Sequence, residues 1–206
     1  KVDHEYFFHK QYFKWLKHVL FKRFIFSSMI RESQFIEMQS SHVESHIDTF
    51  VNISKKNIFL KSDIDVTPES ILCPVVIHPK RKLRLLYIVG PHFESIHKNF
   101  ETFVKAALLL VTAGLDIEIV ITLTKDQLHQ SRIWNRSLDV HTLFLGYTPK
   151  SKLMEIFVSD SVLVSTSIIE TLGLHVIEAI QNGVLVVVPN ETYSLSVYGP
   201  SIITFK

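Results

Sequence analysis

Two glutamates eight positions apart, Glu170 and Glu178, bracket Thr171-Leu172-Gly173-Leu174-His175-Val176-Ile177. Carboxylates are strong, charged hydrogen-bond acceptors. Between the two, the amides of Leu172, Gly173 and Leu174 open a helix. Unsatisfied N–H groups and the helix dipole favour an anion there, and Gly173 lets a phosphate approach the main chain. Elsewhere Lys98, followed by Asn99 and Phe100, stands in the first turn of another helix. That is a poor electrostatic place for a cation unless an anion binds beside it. Alone, Glu178 reads as an ordinary exposed helix residue, and its partner Glu170 is what turns it toward a site. The chemistry implied is an anion held at a helix start, with a carboxylate to either side of it.

Other chemistries lack their residues. His97 and His175 have no Ser or Asp set out as a triad, and with 11 histidines in the chain most are structural or surface groups. One cysteine, Cys73, and scattered histidines give no metal-ligand spacing, so no metal is expected. The lone thiol forms no internal disulfide, which fits a reducing cytoplasm. Neither a dinucleotide fingerprint nor a Walker loop follows any expected strand, which argues against nicotinamide and ATP chemistry and leaves no cofactor to expect. A net charge of +2, from 22 basic and 20 acidic residues, provides no field that would select nucleic acid.

The elements that must place these residues follow from periodicity. In 206 residues, 47% hydrophobic, there is room for one large α/β domain or for a compact domain plus part of another. After Lys82 the pattern is regular. Strands are expected at Leu83–Val89, Asp116–Leu123, Val140–Leu145, Ser161–Ser165, Val184–Val188 and Ser201–Phe205. Helices are expected along the Phe100–Val111 face, at Lys125–Arg136, at Pro149–Val158 with Thr148 as N-cap, and at Leu172–Asn182 closed by Gly183. Strands apolar on both faces and separated by helices call for a doubly wound, mostly parallel Rossmann-like sheet. Ligands in such sheets bind beyond the carboxyl ends of the strands. The loops of interest are therefore Gly90–Asn99, Gly146–Thr148 with Tyr147, Thr166–Gly173 and Pro189–Tyr193.

Before that domain, Gln34–Gln39 and Asn57–Leu60 read as short strands and His42–Asn52 as a helix. Pro68, Pro74 and Pro79 mark residues 61–82 as a linker. The first 26 residues hold nine aromatics mixed with Lys1, Lys10, Lys14, Lys17, Lys22 and Arg23. Over residues 5–26 this is a basic amphipathic helix, suited to pack against further chain or to lie in a membrane interface. No apolar run approaches the roughly 20 residues of a bilayer span. The start at Lys1 and the order of segments read as an excerpt of a longer protein.

The run from Glu170 through Gly173-Leu174 and Glu178 to Asn182-Gly183 resembles the signature of the retaining nucleotide-sugar glycosyltransferases of family 4, which have the GT-B fold of two Rossmann-like domains. Gly90-Pro-His-Phe-Glu-Ser-Ile-His-Lys98-Asn99-Phe100 resembles their loop after the first strand. Phe144-Leu-Gly-Tyr147 is similar to their loop near the base, and Val197-Tyr-Gly199 to the approach to their final strand. The resemblance covers residues 83–206, their carboxy-terminal, donor-binding domain, and leaves 1–60 as a remnant of the acceptor-side domain. It implies retaining transfer of sugar from a nucleoside diphosphate sugar of UDP or GDP type to a glycan or lipid-linked acceptor, in polysaccharide assembly. It also implies a cytoplasmic place, peripheral at the inner membrane face. Carried over, Glu170 holds the donor sugar, Lys98 meets the leaving diphosphate, and Glu178 binds ribose hydroxyls. Thr171, Leu172, Gly173, Leu174, Asn99, Tyr147 and Gly90 complete the donor site.

Departures from the family pattern stand beside this. Pro91 occupies the place where members often carry a phosphate-binding Arg, with Arg81, Arg84 and His97 as the substitutes at hand. Nothing resembles the amino-terminal domain's glycine-rich loop. The alternative reading is a non-catalytic α/β binding module, a degenerate transferase half that binds a partner protein or membrane.

Overall fold

The computed structural model of the chain describes residues 6–8, 10–48, 57–60, 82–157 and 160–206. Contacts group it into two compact units, residues 1–65 with 169–172, and residues 66–168 with 173–206. Of the expected linker 61–82, residues 61–81 lie outside the described residues, as do residues 49–52 of the expected His42–Asn52 helix.

In the first unit the basic aromatic segment is helical beyond the expected end. It runs as α1 (Tyr12–Leu16), a π-helical stretch Lys17–Lys22, and α2 (Arg23–Glu32). The chain continues through β1 (Phe35–Met38) and α3 (Ser41–Asp48) to β2 (Asn57–Leu60). Strands β1 and β2 pair in parallel, Phe35 opposite Asn57 and Met38 opposite Leu60. Buried Ile30, Met38 and Ile47 form a small core with Ile36, Val43 and Ile58.

The second unit is built on six parallel strands: β3 (Leu83–Tyr87), β4 (Ile117–Ile121), β5 (Thr142–Phe144), β6 (Ser161–Val164), β7 (Leu185–Pro189) and β8 (Ile203–Phe205). Their order across the sheet is β5-β4-β3-β6-β7-β8. The helices between them are α4 (Phe100–Thr112), α5 (Lys125–Gln130), α6 (Lys150–Ile156), α7 (Leu174–Gln181) and α8 (Thr192–Tyr198). This is the doubly wound Rossmann-like arrangement: strand order runs outward one way from β3 and the other way from β6, and the crevice lies where it reverses.

Burial explains why the strands lack alternation. Leu85, Tyr87, Ile117, Ile119 and Ile121 pack with Phe100, Phe103, Val104 and Ala107 of α4, and with Leu128, Trp134 and Leu138. The intervening Leu86, Val120 and Leu163 are also buried. Removing a side chain such as Phe103 from water is worth about 1.5–3 kcal/mol. Tyr87 stacks on Phe103 with ring centroids 4.1 Å apart, which sets the helix against the strand.

Several expected boundaries move for local reasons. The Lys125–Arg136 helix stops at Gln130, because Ser131 turns extended and its hydroxyl donates to Glu94 at 2.6 Å. A 3₁₀ segment, Arg136–His141, then leads into a β5 shorter than Val140–Leu145. Thr148 does not cap α6: its hydroxyl donates to the Gly146 carbonyl at 3.1 Å and Pro149 takes the N-cap position. The expected loop Pro189–Tyr193 gives way to α8 from Thr192, a helix that periodicity did not reveal. Gly183, at φ 70, follows the last turn of α7 and accepts the left-handed conformation such ends require.

Asp139 ties the segment after α5 together. Its carboxylate accepts from Trp134 Nε1 at 2.9 Å, and lies 2.7 Å from His129 Nε2 and 3.4 Å from Lys125 Nζ. Burial pushes its pKa up, but the bonds from Trp134 and His129, the attraction to His129 and the bond from Lys125 outweigh it and hold the carboxyl below its usual value. A carboxyl depressed in the folded state contributes stability above its unfolded pKa, near 4, and loses it as pH falls through the folded value. Asp139→Ala is expected to cost about 1–3 kcal/mol in urea unfolding at neutral pH, and the gap to the parent protein should shrink below about pH 4.

Candidate functional site

The strand reversal places the ends of β3 and β6 side by side, with Arg84 opposite Ser161 and Leu86 opposite Leu163. Beyond β3 the chain passes exposed Gly90, forms a short 3₁₀ turn Ile96–Lys98, and enters α4 through Asn99. Asn99 has φ 48, the left-handed conformation that Asn tolerates better than most residues, and its side chain accepts from Thr102 Oγ1 at 2.9 Å. Beyond β6 come Ser165, Thr166 and Ser167, three buried hydroxyl residues after an apolar strand.

These two loops are bonded to one another. Thr166 Oγ1 donates to the Lys98 carbonyl at 2.8 Å, and the Tyr87 hydroxyl lies 2.9 Å from Thr166 Oγ1. The Ile168 amide donates to the His97 carbonyl at 2.8 Å. Buried Tyr193 of α8 donates its hydroxyl to the Ser167 carbonyl. The backbone of Lys98 is thereby held at the switch point from the end of β3 and from the loop after β6. Sequence reasoning selected Lys98 and Asn99, marked Thr166 and Tyr193 only as ends of loops of interest, and missed Tyr87. The signal available was Ser-Thr-Ser directly after a buried strand, since buried hydroxyls require partners.

A second grouping joins the loop after β5 to α7. Tyr147 is 94% exposed at the strand end. Three residues on, Lys150 opens α6 and reaches Glu178 Oε1 at 2.6 Å. Glu178 sits in the second turn of α7, which begins at Leu174 and not at the expected Leu172. Gly173 is the N-cap at φ 56 and ψ 60, so Leu172 stands outside the helix and only Leu174 of the three expected amides lies within its first turn.

Gly173 has a packing reason as well as the expected phosphate one. A Cβ there would overlap the hydroxyl oxygen of buried Tyr198. Glu170, Thr171 and Leu172 belong to the first compact unit, whereas Lys98, Asn99, Tyr147, Gly173, Leu174 and Glu178 belong to the second. Of the substitutes for the missing loop Arg, Arg84 is engaged elsewhere. It stands near the amino end of β3 and pairs with Glu118 at 2.6 Å, away from the carboxyl ends of the strands. Arg81 lies outside the described residues. Among the described residues no group of three or more His, Cys, Asp or Glu could hold a metal ion.

Residues 80–198 match the family described as glycosyl transferases group 1. The chain belongs to that family. Among solved structures it is similar to TarM, with a TM-score of 0.57 and 20% identity over 84% of this chain and 32% of TarM. It is similar to the pneumococcal O-GlcNAc transferase GtfA in complex with UDP and GlcNAc, with a TM-score of 0.59 and 16% identity over 81% of this chain and 32% of that one. A mutant of S. aureus TarM in complex with Fondaparinux, alpha-GlcNAc-glycerol and UDP gives a TM-score of 0.55 and 21% identity, over 81% of this chain and 32% of that one. At these identities the likeness establishes the GT-B type of fold. The chain spans about a third of the length of these proteins. A search among curated proteins gives no match.

The left-handed backbone and the Tyr198 contact make Gly173 intolerant of a side chain. Gly173→Ala is expected to destabilise the second unit by about 2 kcal/mol or more in chemical unfolding, and Tyr198→Phe in the same chain should return part of that loss by removing the overlapping oxygen.

Proposed function

We propose that this chain is the donor-binding part of a retaining glycosyltransferase, which moves a sugar from a nucleoside diphosphate sugar to a glycan or lipid-linked acceptor. The observation that carries the reading is the anchoring of the Lys98–Asn99 turn at the strand reversal by Thr166 and Tyr87. It fixes the backbone that carries Lys98 at the crevice where a doubly wound sheet takes its ligand. UDP is the favoured nucleotide, since two of the similar structures were solved with it, and GDP is the other member of the class.

The residues suit the reaction. When the bond between the sugar's anomeric carbon and the phosphate oxygen breaks, negative charge collects on the diphosphate and the sugar becomes cation-like. Groups placed in advance for those charges lower the barrier. Lys98 and the first amides of α7 act on the diphosphate, Glu170 accepts from the donor sugar, and Glu178 accepts from the ribose. Thr171, Leu172, Gly173 and Gly90 are proposed to line the path, and Tyr147, exposed at the end of β5, offers a ring face to the base. The new bond forms on the face the diphosphate leaves, and no metal ion is needed to balance charge in this scheme.

Peripheral contact with the inner face of a membrane through residues 5–26 belongs to the same proposal. Within the described part, Phe13 is 80% exposed and Phe24 76% exposed, and Lys10, Lys14 and Lys17 are exposed with them. Among the described residues no helix is long and apolar enough to cross a bilayer. A surface helix of this composition binds by burying rings at the acyl boundary while its cations meet anionic head groups.

Calorimetry should detect UDP or GDP binding between micromolar and millimolar Kd. Glu178→Ala should weaken nucleoside and nucleotide alike by about tenfold, and Lys98→Ala should weaken the diphosphate more than the nucleoside. Absence of heat with both nucleotides would reject the donor site, and equal losses for both ligands would remove Lys98 from the phosphate. Co-sedimentation with anionic vesicles is expected at low salt and should fall as salt screens the lysines. No binding at low salt would return the helix to a packing role.

A further inference from the structure

The ion pair between Lys150 and Glu178 has no part in the donor scheme above, yet it joins two of its pieces. Lys150 Nζ stands 2.6 Å from Glu178 Oε1, a short charge-assisted contact. The two side chains differ in exposure: that of Glu178 is 17% exposed and that of Lys150 74%. An exposed lysine thus lies over a largely enclosed carboxylate. Its own helix, α6, starts directly after the Tyr147 loop, so the contact also fastens that loop to α7.

A carboxylate offers about four lone-pair positions on two oxygens. The lysine takes one on Oε1. Left in place are Oε2 and a second position on Oε1, enough for the two donors of a ribose cis-diol. A glutamate with three side-chain torsions would otherwise sample several rotamers, and ordering it on binding costs free energy. Held beforehand by Lys150, it presents its free positions in one direction.

We infer that Lys150 is a positioning residue for ribose recognition, aiming Glu178 at the 2′- and 3′-hydroxyls of the nucleotide while it fixes the Tyr147 loop to α7. The inference rests on the donor-site reading, which supplies the role of Glu178. Its chemistry differs from that of a phosphate-binding lysine: Lys150 acts through the glutamate and makes its effect on the sugar hydroxyls.

The test uses the full chain with two probes, UDP and 2′,3′-dideoxy-UDP, which have the same diphosphate and base. Any general effect of removing a cation falls on both and cancels in the ratio of their affinities. The parent protein is expected to favour UDP by about tenfold or more. Lys150→Met should weaken UDP by about fivefold to tenfold, leave the dideoxy ligand close to unchanged, and so collapse the ratio. Lys150→Arg should keep most of it. If Glu178→Ala abolishes the preference for UDP while Lys150→Met preserves it, or if Lys150→Met weakens both ligands by one factor, the positioning role is overturned and the donor site stands. If the parent protein does not distinguish the two probes, or binds neither, Glu178 is not a ribose acceptor and both readings fall together.

Discussion

The structure of the second unit depends on one pairing, that of β3 with β6. From these two strands the sheet grows outward in opposite directions, β3 to β4 to β5 and β6 to β7 to β8, so their carboxyl ends are where the connections part. Two loops must leave from neighbouring points, and each carries backbone groups that the departing chain cannot satisfy with its own strand. Thr166 and Tyr87 meet that demand at the Lys98 carbonyl, and the Ile168 amide meets it at His97. The position proposed for the diphosphate is thus fixed by hydrogen bonds that the sheet needs whether or not a ligand is present.

Around that point the rest is packing. Tyr87 serves both sides of the problem, because its ring stacks on Phe103 in the core while its hydroxyl joins the loop network. A residue with an apolar body and a polar tip is suited to the place where a buried strand emerges. Tyr193 repeats the arrangement one strand pair further along, buried and bonded to the Ser167 carbonyl. Asp139 does similar service for the segment between α5 and β5, collecting Trp134, His129 and Lys125 where the helix ends early. Polar groups at strand ends act in each case as fasteners between elements that apolar burial has already brought near.

The donor reading divides along the same lines. Lys98, Tyr147, Gly173 and Glu178 share the second unit, and their placement follows from the sheet and the helices on it. Glu170, which the family resemblance gives the most intimate role, belongs with Thr171 and Leu172 to the first unit. The first unit carries its own small parallel pair of strands and an aromatic, basic helix whose apolar side chains are largely exposed.

The chain's periodicity determined the class of fold. Apolar strands of both-sided burial alternating with helices leave few architectures open, and five of the six strands of the second unit lie within the stretches that the apolar runs marked, β7 running one residue past its own to Pro189. Spacing and residue type also picked out Lys98, Gly173 and Glu178, since cations, carboxylates and glycine at element ends are legible in one dimension, and the family resemblance added Asn99. The true start of α7, the existence of α8, and the partners Thr166, Tyr87, Tyr193 and Lys150 were decided by the tertiary structure. A helix boundary turns on one residue's dihedral angles and on whether Tyr198 fills the space beside Gly173. A hydrogen bond from position 166 to position 98, or an ion pair from 150 to 178, arises only when the sheet has brought distant strand ends together.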